Sequence, residues 1–314
     1  MNSDVQLLRS LNDFPKRFRG GAVSVGNFDG VHRGHAHLIG RLVAMARHVQ
    51  GPAVVFTFDP HPAQLLRPAA APTPLGWTDR NVQLLGELHV DAVVAYPTDE
   101  AFLRLEAREF FEQVVRGGLG SRAMVEGANF FFGLDRSGDI DVLQGFCDEA
   151  TIPLEVVEPL RINGLTVSSS RIRSLVSAGQ VDEAHSLLSR PYRIRGTVVT
   201  GSRRGVTLGF PTANLERIDT LLPSEGIYAG VARVEETAHP AAVNVGPNPT
   251  FGEEGRKVEA HLVDFFGDLY GRTIEVDFLA RLRDIRHFNS PETLVAQMQR
   301  DVAATRRIVE PYST

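Results

Sequence analysis

The ten residues Gly26-Asn-Phe-Asp-Gly-Val-His-Arg-Gly-His35 assemble the means to hold a phosphate. Gly26, Gly30 and Gly34 let the backbone approach a ligand closely or take positive φ. His32 and His35, three residues apart at a helix start, share one face. The positive helix end and its backbone amides then converge with the imidazoles on one anion. None of the ten is a good covalent nucleophile, and the Gly-Lys-Ser/Thr ending of a P-loop is missing. The chemistry favoured is direct attack on a bound nucleotide phosphorus. The histidines would stabilise transition-state charge and the leaving pyrophosphate.

A second constellation starts at Gly201-Ser-Arg-Arg-Gly-Val-Thr-Leu-Gly-Phe-Pro-Thr-Ala-Asn214. Its glycines, Gly201, Gly205 and Gly209, make a flexible or closely approached loop, which by itself also fits a hairpin turn. Thr212 and Asn214 add a hydroxyl and an amide oxygen, hard ligands suited to magnesium. Farther on, Val258-Glu-Ala-His-Leu-Val-Asp-Phe265 alternates, with Val258, Ala260 and Leu262 on one face and Glu259, His261 and Val263 on the other. Glu259 is then a polar residue in a barrel-forming strand, able to accept a hydroxyl proton. A solvent-facing glutamate is the alternative.

Three shorter segments carry weaker signals. Thr57-Phe-Asp-Pro-His-Pro62 follows a strand and reads equally well as a proline-stiffened turn. In Glu126-Gly-Ala-Asn-Phe-Phe-Phe-Gly133 the three aromatics cannot all enter one core face, and Asn129 offers a donor and an acceptor to a planar ring. The serines of Ser168-Ser-Ser-Arg-Ile-Arg173 suit a helix cap, and Arg173 behind them suits an anion.

The elements that must position these groups change character along the chain. Apolar runs at Ala22–Val25, Ala53–Phe58, 91–96, 123–126 and Leu154–Val157 alternate with helical patterns at 35–49, 79–88, 107–115 and 141–150. Continuous apolar strands separated by helices predict a Rossmann-like parallel sheet covered on both faces, with ligands along one edge. Helical patterns at 170–178 and Val181–Leu188 lead to a boundary at 187–191. Strands then follow one another at Tyr192–Val199, 227–234, 241–245, 258–264 and 273–282, separated by Gly/Pro turns. They predict a small antiparallel β-barrel. A terminal helix is expected over 291–303, capped by Ser290. The fold class is therefore α/β plus β, with domains 1–187 and 188–314.

Composition argues against some classes of partner. A net charge of −5 argues against a general nucleic-acid binder. No stretch approaches the roughly 20 apolar residues that a membrane span needs. The N-terminal MNSDVQLLRS lacks a secretory signal pattern, and the lone Cys147, expected in the core, cannot form an internal disulfide. A cytoplasmic location follows as the expectation, and a transient homo-oligomer is compatible with the sequence.

GNFDGVHRGH resembles the signature of the HxGH nucleotidyltransferases, and in its wider form that of bacterial bifunctional riboflavin kinase/FAD synthetases. TFDPHP, EGANFFFG and SSSRIR are similar to further segments of that family, as are LGFPTANL, VEAHLVDF, 226–230, 244–251 and 283–288. The resemblance implies ATP as co-substrate, Mg2+, and riboflavin, FMN and FAD as substrates or products. It implies that Gly26, Asn27, Phe28, Asp29 and Gly34 line the adenylyl-transfer site, with His32 and His35 as its catalytic pair. Asn129 would orient the flavin or its metal, and Ser169, Ser170 and Arg173 would bind the ATP phosphates. In the kinase half it implies Gly205, Gly209, Pro211, Thr212, Asn214 and Arg283 as binding residues, Thr212 and Asn214 as metal ligands, and Glu259 as base. Val206 and Ile285 depart from the family pattern in the kinase loops, where Arg203 and Arg204 would supply the missing charge. Two alternatives follow: a flavin-binding regulatory protein with a weakened kinase, and a nucleotidyltransferase for another phosphorylated acceptor.

Overall fold

The computed structural model describes residues 5–201, 204–248 and 253–312. Arg203, the side chain of Arg204 and positions 249–251 therefore lie outside the described residues. The chain forms two compact units, Met1–Pro72 with Trp77–Ser168, and Thr73–Gly76 with Ser169–Thr314.

The first unit is built on six parallel strands: β1 (Gln6–Leu8), β2 (Ala22–Val25), β3 (Ala53–Phe58), β4 (Ala92–Tyr96), β5 (Ala123–Gly127) and β6 (Leu154–Val157). Their order across the sheet is β1-β4-β3-β2-β5-β6. The connecting helices are α1 (Arg33–His48), α2 (Pro62–Leu66), α3 (Thr78–Glu87), α4 (Glu100–Leu103), α5 (Ala107–Phe110) and α6 (Ile140–Ala150). A short hairpin, β7 (Arg161–Ile162) with β8 (Leu165–Thr166), follows β6.

Alternation along the strands sends side chains into two cores, as a sheet covered on both faces requires. Ala22, Val55, Val93 and Val125 pack with Ile39, Leu42 and Ala46 of α1. Val25, Phe56 and Met124 share the other core with Phe110, Leu143 and Cys147. Cys147 is fully buried there, and burial, reinforced by the acidic neighbour Asp148, pushes its thiol up to about 11.

Several details differ from the sequence expectation. Strand β1 was not anticipated: three half-buried residues at a sheet edge carry too short a pattern to read. The helix expected over 107–115 is α-helical only through Phe110 and continues as a π-helix over Phe111–Gly118.

The second unit opens with α7 (Ser169–Ser177) and α8 (Val181–Leu188). Six strands then close into an antiparallel barrel: β9 (Tyr192–Val199), β10 (Ala213–Glu216), β11 (Gly226–Val234), β12 (Thr237–Asn248), β13 (Glu253–Leu262) and β14 (Thr273–Arg283). Around the barrel they run β10-β13-β12-β11-β14-β9, so among the described residues this sheet has no free edge. Helix α9 (Arg204–Thr207) lies in the β9–β10 connection, and α10 (Pro291–Val309) packs against β11, β12 and β14.

Strict alternation in β9, buried then half-buried throughout, directs Tyr192, Ile194 and Val198 inward. Tyr228, Val243, Ala260 and Phe278 are buried in the same way. Between β9, β11 and β14, Asp277 is buried against two cations. Arg193, directly opposite it, donates at 2.9 Å, and Arg233 donates at 3.0 Å. Ser290 caps α10 as expected, accepting from the Thr293 amide.

Candidate active sites

In the first unit the chain leaves β2 through a turn that ordinary residues rarely make. Phe28 and Val31 adopt positive φ, 44° and 37°, with Gly30 at 76° between them. For a β-branched residue such as Val31 this is a genuine outlier, and conformations of this kind cluster at functional sites. Both side chains are buried against α1 and the sheet, which holds the turn in place. Gly30 is anchored further by its amide, which donates to the Asn81 side chain on α3 at 3.3 Å. No signal in the sequence pointed to Asn81.

The turn delivers His32 as the N-cap of α1. Its Nδ1 accepts the His35 amide at 3.2 Å, which leaves the ring proton on Nε2. The two imidazoles stack at 3.7 Å between centroids, and Phe28 lies 5.2 Å from the His35 ring. The histidines thus meet as the spacing predicted, although α1 begins at Arg33 rather than at His35.

Gly34 explains the residue between them. A Cβ there would sit 3.1 Å from the His32 ring and 3.2 Å from the Val167 carbonyl oxygen. A larger residue would crowd the cap, so that the His32 ring or the Val167 carbonyl would have to give by a few tenths of an ångström. Asp29 is buried and Asn27 exposed, the latter's carbonyl accepting the Thr57 hydroxyl at 3.2 Å.

The weaker segments separate into scaffolding and surface. Asp59 accepts from Arg9 and from the Thr78 hydroxyl, and His61 caps α2 by accepting the Ala63 amide at 3.0 Å. Phe132 enters the core stacked on Phe130, while Phe131 is exposed under the Arg136 guanidinium. Asn129 is exposed on the same loop. Ser169 and Ser170 form the first turn of α7, and Arg173, one turn on, donates to the Thr73 carbonyl at 2.9 Å.

In the barrel, the predicted kinase residues converge through register. Asn214 of β10 is paired directly with Glu259 of β13, and Asn244 of β12 pairs with Glu259 from the other side. Directly opposed residues share a face. The row continues through Ile227 to Arg283, so Asn214, Glu259, Asn244, Ile227 and Arg283 form one outward-facing belt around the barrel. Asn244 belonged to a segment noted above, yet its own polar place in an apolar strand was the signal that sequence reasoning passed over.

Strand β10 lies outside the strands expected from the sequence, and its Asn214 is half-buried within the sheet. The glycine loop closes on this belt. A Cβ on Gly201 would fall 2.2 Å from the Asn214 amide nitrogen, and one on Gly205 would lie 3.4 Å from the Thr212 hydroxyl. Gly209 has φ 83°, and the Pro211 carbonyl lies 2.8 Å from His261 Nδ1.

Arg283 donates three bonds to Asp301 of α10, at 2.7, 3.1 and 3.2 Å, and lies 5.7 Å over the Phe288 ring. Of the two departures noted above, Ile285 packs where a Cβ on Gly246 would fall, 2.4 Å away, so an apolar side chain serves there. Val206 projects from α9 into solvent, and nothing in the structure explains that residue.

One site presents paired imidazoles at a helix start below an open parallel sheet. The other presents amide and carboxylate on a barrel belt, with a glycine loop and the Thr212 hydroxyl beside it. Together they define a transferase with two phosphate-handling centres.

Comparison with known proteins agrees. Residues 14–171 match the FAD synthetase family and residues 188–309 the riboflavin kinase family. The curated bifunctional riboflavin kinase/FMN adenylyltransferase of Pseudomonas fluorescens is 35% identical, over 98% of this chain and 99% of its own length. The Escherichia coli K12 relative of the same name is 33% identical over 96% of this chain and 97% of its own length. That of Bacillus subtilis strain 168 is 32% identical over 89% of both. A crystal structure from Streptococcus pneumoniae, described as a macrolide-efflux protein, superposes with TM-score 0.85 at 30% identity, covering 96% of this chain and 99% of that one. Among the described residues of this chain, no helix is long and apolar enough to cross a membrane. The chain belongs to the bifunctional riboflavin kinase/FMN adenylyltransferase family, and it makes FAD from riboflavin in two ATP-dependent steps.

Proposed function

We propose that the kinase step runs on the barrel belt, with Glu259 as general base and Thr212 and Asn214 at the metal. The riboflavin 5′-hydroxyl oxygen attacks the γ-phosphorus of ATP and its proton passes to Glu259. The γ-phosphorus to bridging-oxygen bond breaks, and FMN and ADP leave. The donor set fits Mg2+: two neutral hard oxygens suffice for an ion that keeps several waters and takes its remaining ligands from phosphates. Magnesium, when bound there, would neutralise charge on the β- and γ-phosphate oxygens. Gly205, Gly209 and Pro211 shape the loop over the triphosphate, and Arg283 borders the flavin. The single observation that carries this reading is the direct pairing of Asn214 with Glu259, with Asn244 on the far side.

In the adenylyl step the FMN phosphate attacks the α-phosphorus of a second ATP, forming FAD and releasing pyrophosphate. His32 and His35 stabilise the charge that develops, and Ser169, Ser170 and Arg173 bind the ATP phosphates. Gly26, Asn27, Phe28, Asp29 and Gly34 shape the nucleotide pocket, and Asn129 orients the flavin. The capped, stacked histidine pair supports this reading.

We divide the two activities at 187/188, because the riboflavin kinase match begins at residue 188. The experiment is a chromatographic time course of riboflavin, FMN and FAD with purified protein, ATP and Mg2+. FMN is expected first and FAD after it. Failure to form either product, under oxidising or reducing conditions, would sink the reading.

A further inference from the structure

The β2/β5 boundary is where the order of the first sheet reverses. The chain builds outward from β2 through β3 and β4 on one side, then through β5 and β6 on the other. Open α/β sheets bind ligands in the crevice at such a boundary. Backbone pairing marks the crevice directly. Strands β2 and β3 stay paired through Val25 and Phe56, and Gly26 still donates to the Phe56 carbonyl at 3.0 Å. Strands β2 and β5 stop pairing at Val23 and Met124. Beyond that point the Val25 amide on the β5 side has lost its ladder.

Glu126 fills the gap. Its Oε1 accepts the Val25 amide at 2.7 Å, and the residue is 1% exposed. A side chain therefore replaces the missing backbone acceptor while the strands part. Burial also pushes the Glu126 carboxyl well above the usual carboxylate range, with the Val25 hydrogen bond opposing the shift, which favours a neutral group in the apolar core. A carboxyl in that state resembles a glutamine in charge and shape.

The bond joins the roots of two loops. Directly after Val25 the chain leaves β2 for the strained turn that delivers His32 and His35; past Gly127, two residues after Glu126, it enters the loop carrying Asn129. We propose that Glu126 is a positioning residue for adenylyl transfer, a buried acceptor that fixes the spacing of these two loops across the crevice. The inference rests on the reading of the histidine site given above.

The test uses the full chain, with thermal unfolding of each variant followed by circular dichroism to report folding of the first unit as well as the second. Glu126→Gln keeps the acceptor, and Glu126→Met keeps the bulk without it. Displacement of a reacting group by about 1 Å costs on the order of 10²-fold in rate. For Glu126→Met the FAD-forming kcat is expected to fall by about 10- to 100-fold with KM for ATP and FMN nearly unchanged. Glu126→Gln should stay within about threefold of the parent, since its side-chain carbonyl still accepts the amide.

Hydrogen exchange at the Val25 amide should quicken in the Met variant alone. An undiminished kcat in Glu126→Met overturns the proposal, as does an equal loss in Gln and Met, which would mean that ionisation rather than acceptance matters. If Glu126→Met yields no folded protein, the Gln variant decides, and a tenfold loss there overturns the proposal. His32→Ala separates the two readings. Full FAD synthesis in that variant would remove the histidine site itself, whereas its loss beside a fully active Glu126→Met would remove only the role of Glu126.

Discussion

The parallel sheet and the barrel handle the same triphosphate chemistry by opposite routes. In the first unit the paired histidines lie within one contiguous peptide, and strained backbone holds them: three positive-φ residues lead into a histidine that caps its own helix. In the barrel the groups arrive from paired strands far apart in sequence, at positions 214, 244, 259 and 283. An open sheet ends in loops, so its site is made of turns and helix starts; a closed sheet leaves its outer face, so its site is made by register. A change in local sequence should therefore harm the first site alone, and a change in register the second alone.

The largest expected effects test that separation. Glu259→Gln should lower the rate of FMN formation by about 10²- to 10⁴-fold, the usual worth of a general base, while FAD formation from supplied FMN is unchanged. His32→Ala should do the converse, cutting FAD formation by about 10²- to 10³-fold and sparing FMN formation. Both are read from one time course of the three flavins. A matched loss of both activities from either change would break the comparison.

A structural variant sharpens it. Asp277→Ala strips the half-buried Arg193 of its main partner and leaves it Glu275, a kind of change that costs up to about 3 kcal/mol. Thermal inactivation of the two activities should then diverge, with FMN formation lost at a lower temperature than FAD formation. Coincident loss would mean that the units melt together.

The gentlest test is Ser290→Ala. Removal of the α10 cap should cost about 1 kcal/mol and lower the kinase midpoint by a few degrees without altering either rate at room temperature.

The same contrast explains what the sequence disclosed. Strands β2 and β3 lie where their apolar runs predicted, because a buried parallel strand must be largely apolar. The stacked histidines were legible because three residues on a helix fix their own geometry. The left-handed turn before them was only half legible: Gly30 announced it, whereas Phe28 and Val31 owe their φ values to tertiary packing.

Less of the barrel could be read. The polar place of Glu259 followed from alternation, and Val258, Ala260 and Leu262 are buried as that pattern requires. No local pattern could reveal that β10 is a strand, that Asn244 flanks Glu259, or that Asp301, on a helix 18 residues beyond Arg283, grips its guanidinium. Those relations depend on closure of the sheet.

Cys147 has a practical consequence for work on either site. With its sulfur sealed in the core and its ionisation deferred to about 11, the chain should be silent to maleimide and iodoacetamide near neutral pH. A cysteine installed on the Asn129 loop or beside Val206 would then be the sole point of attachment for a fluorophore or spin label. Motion at each centre could be followed separately, with the native thiol left in place.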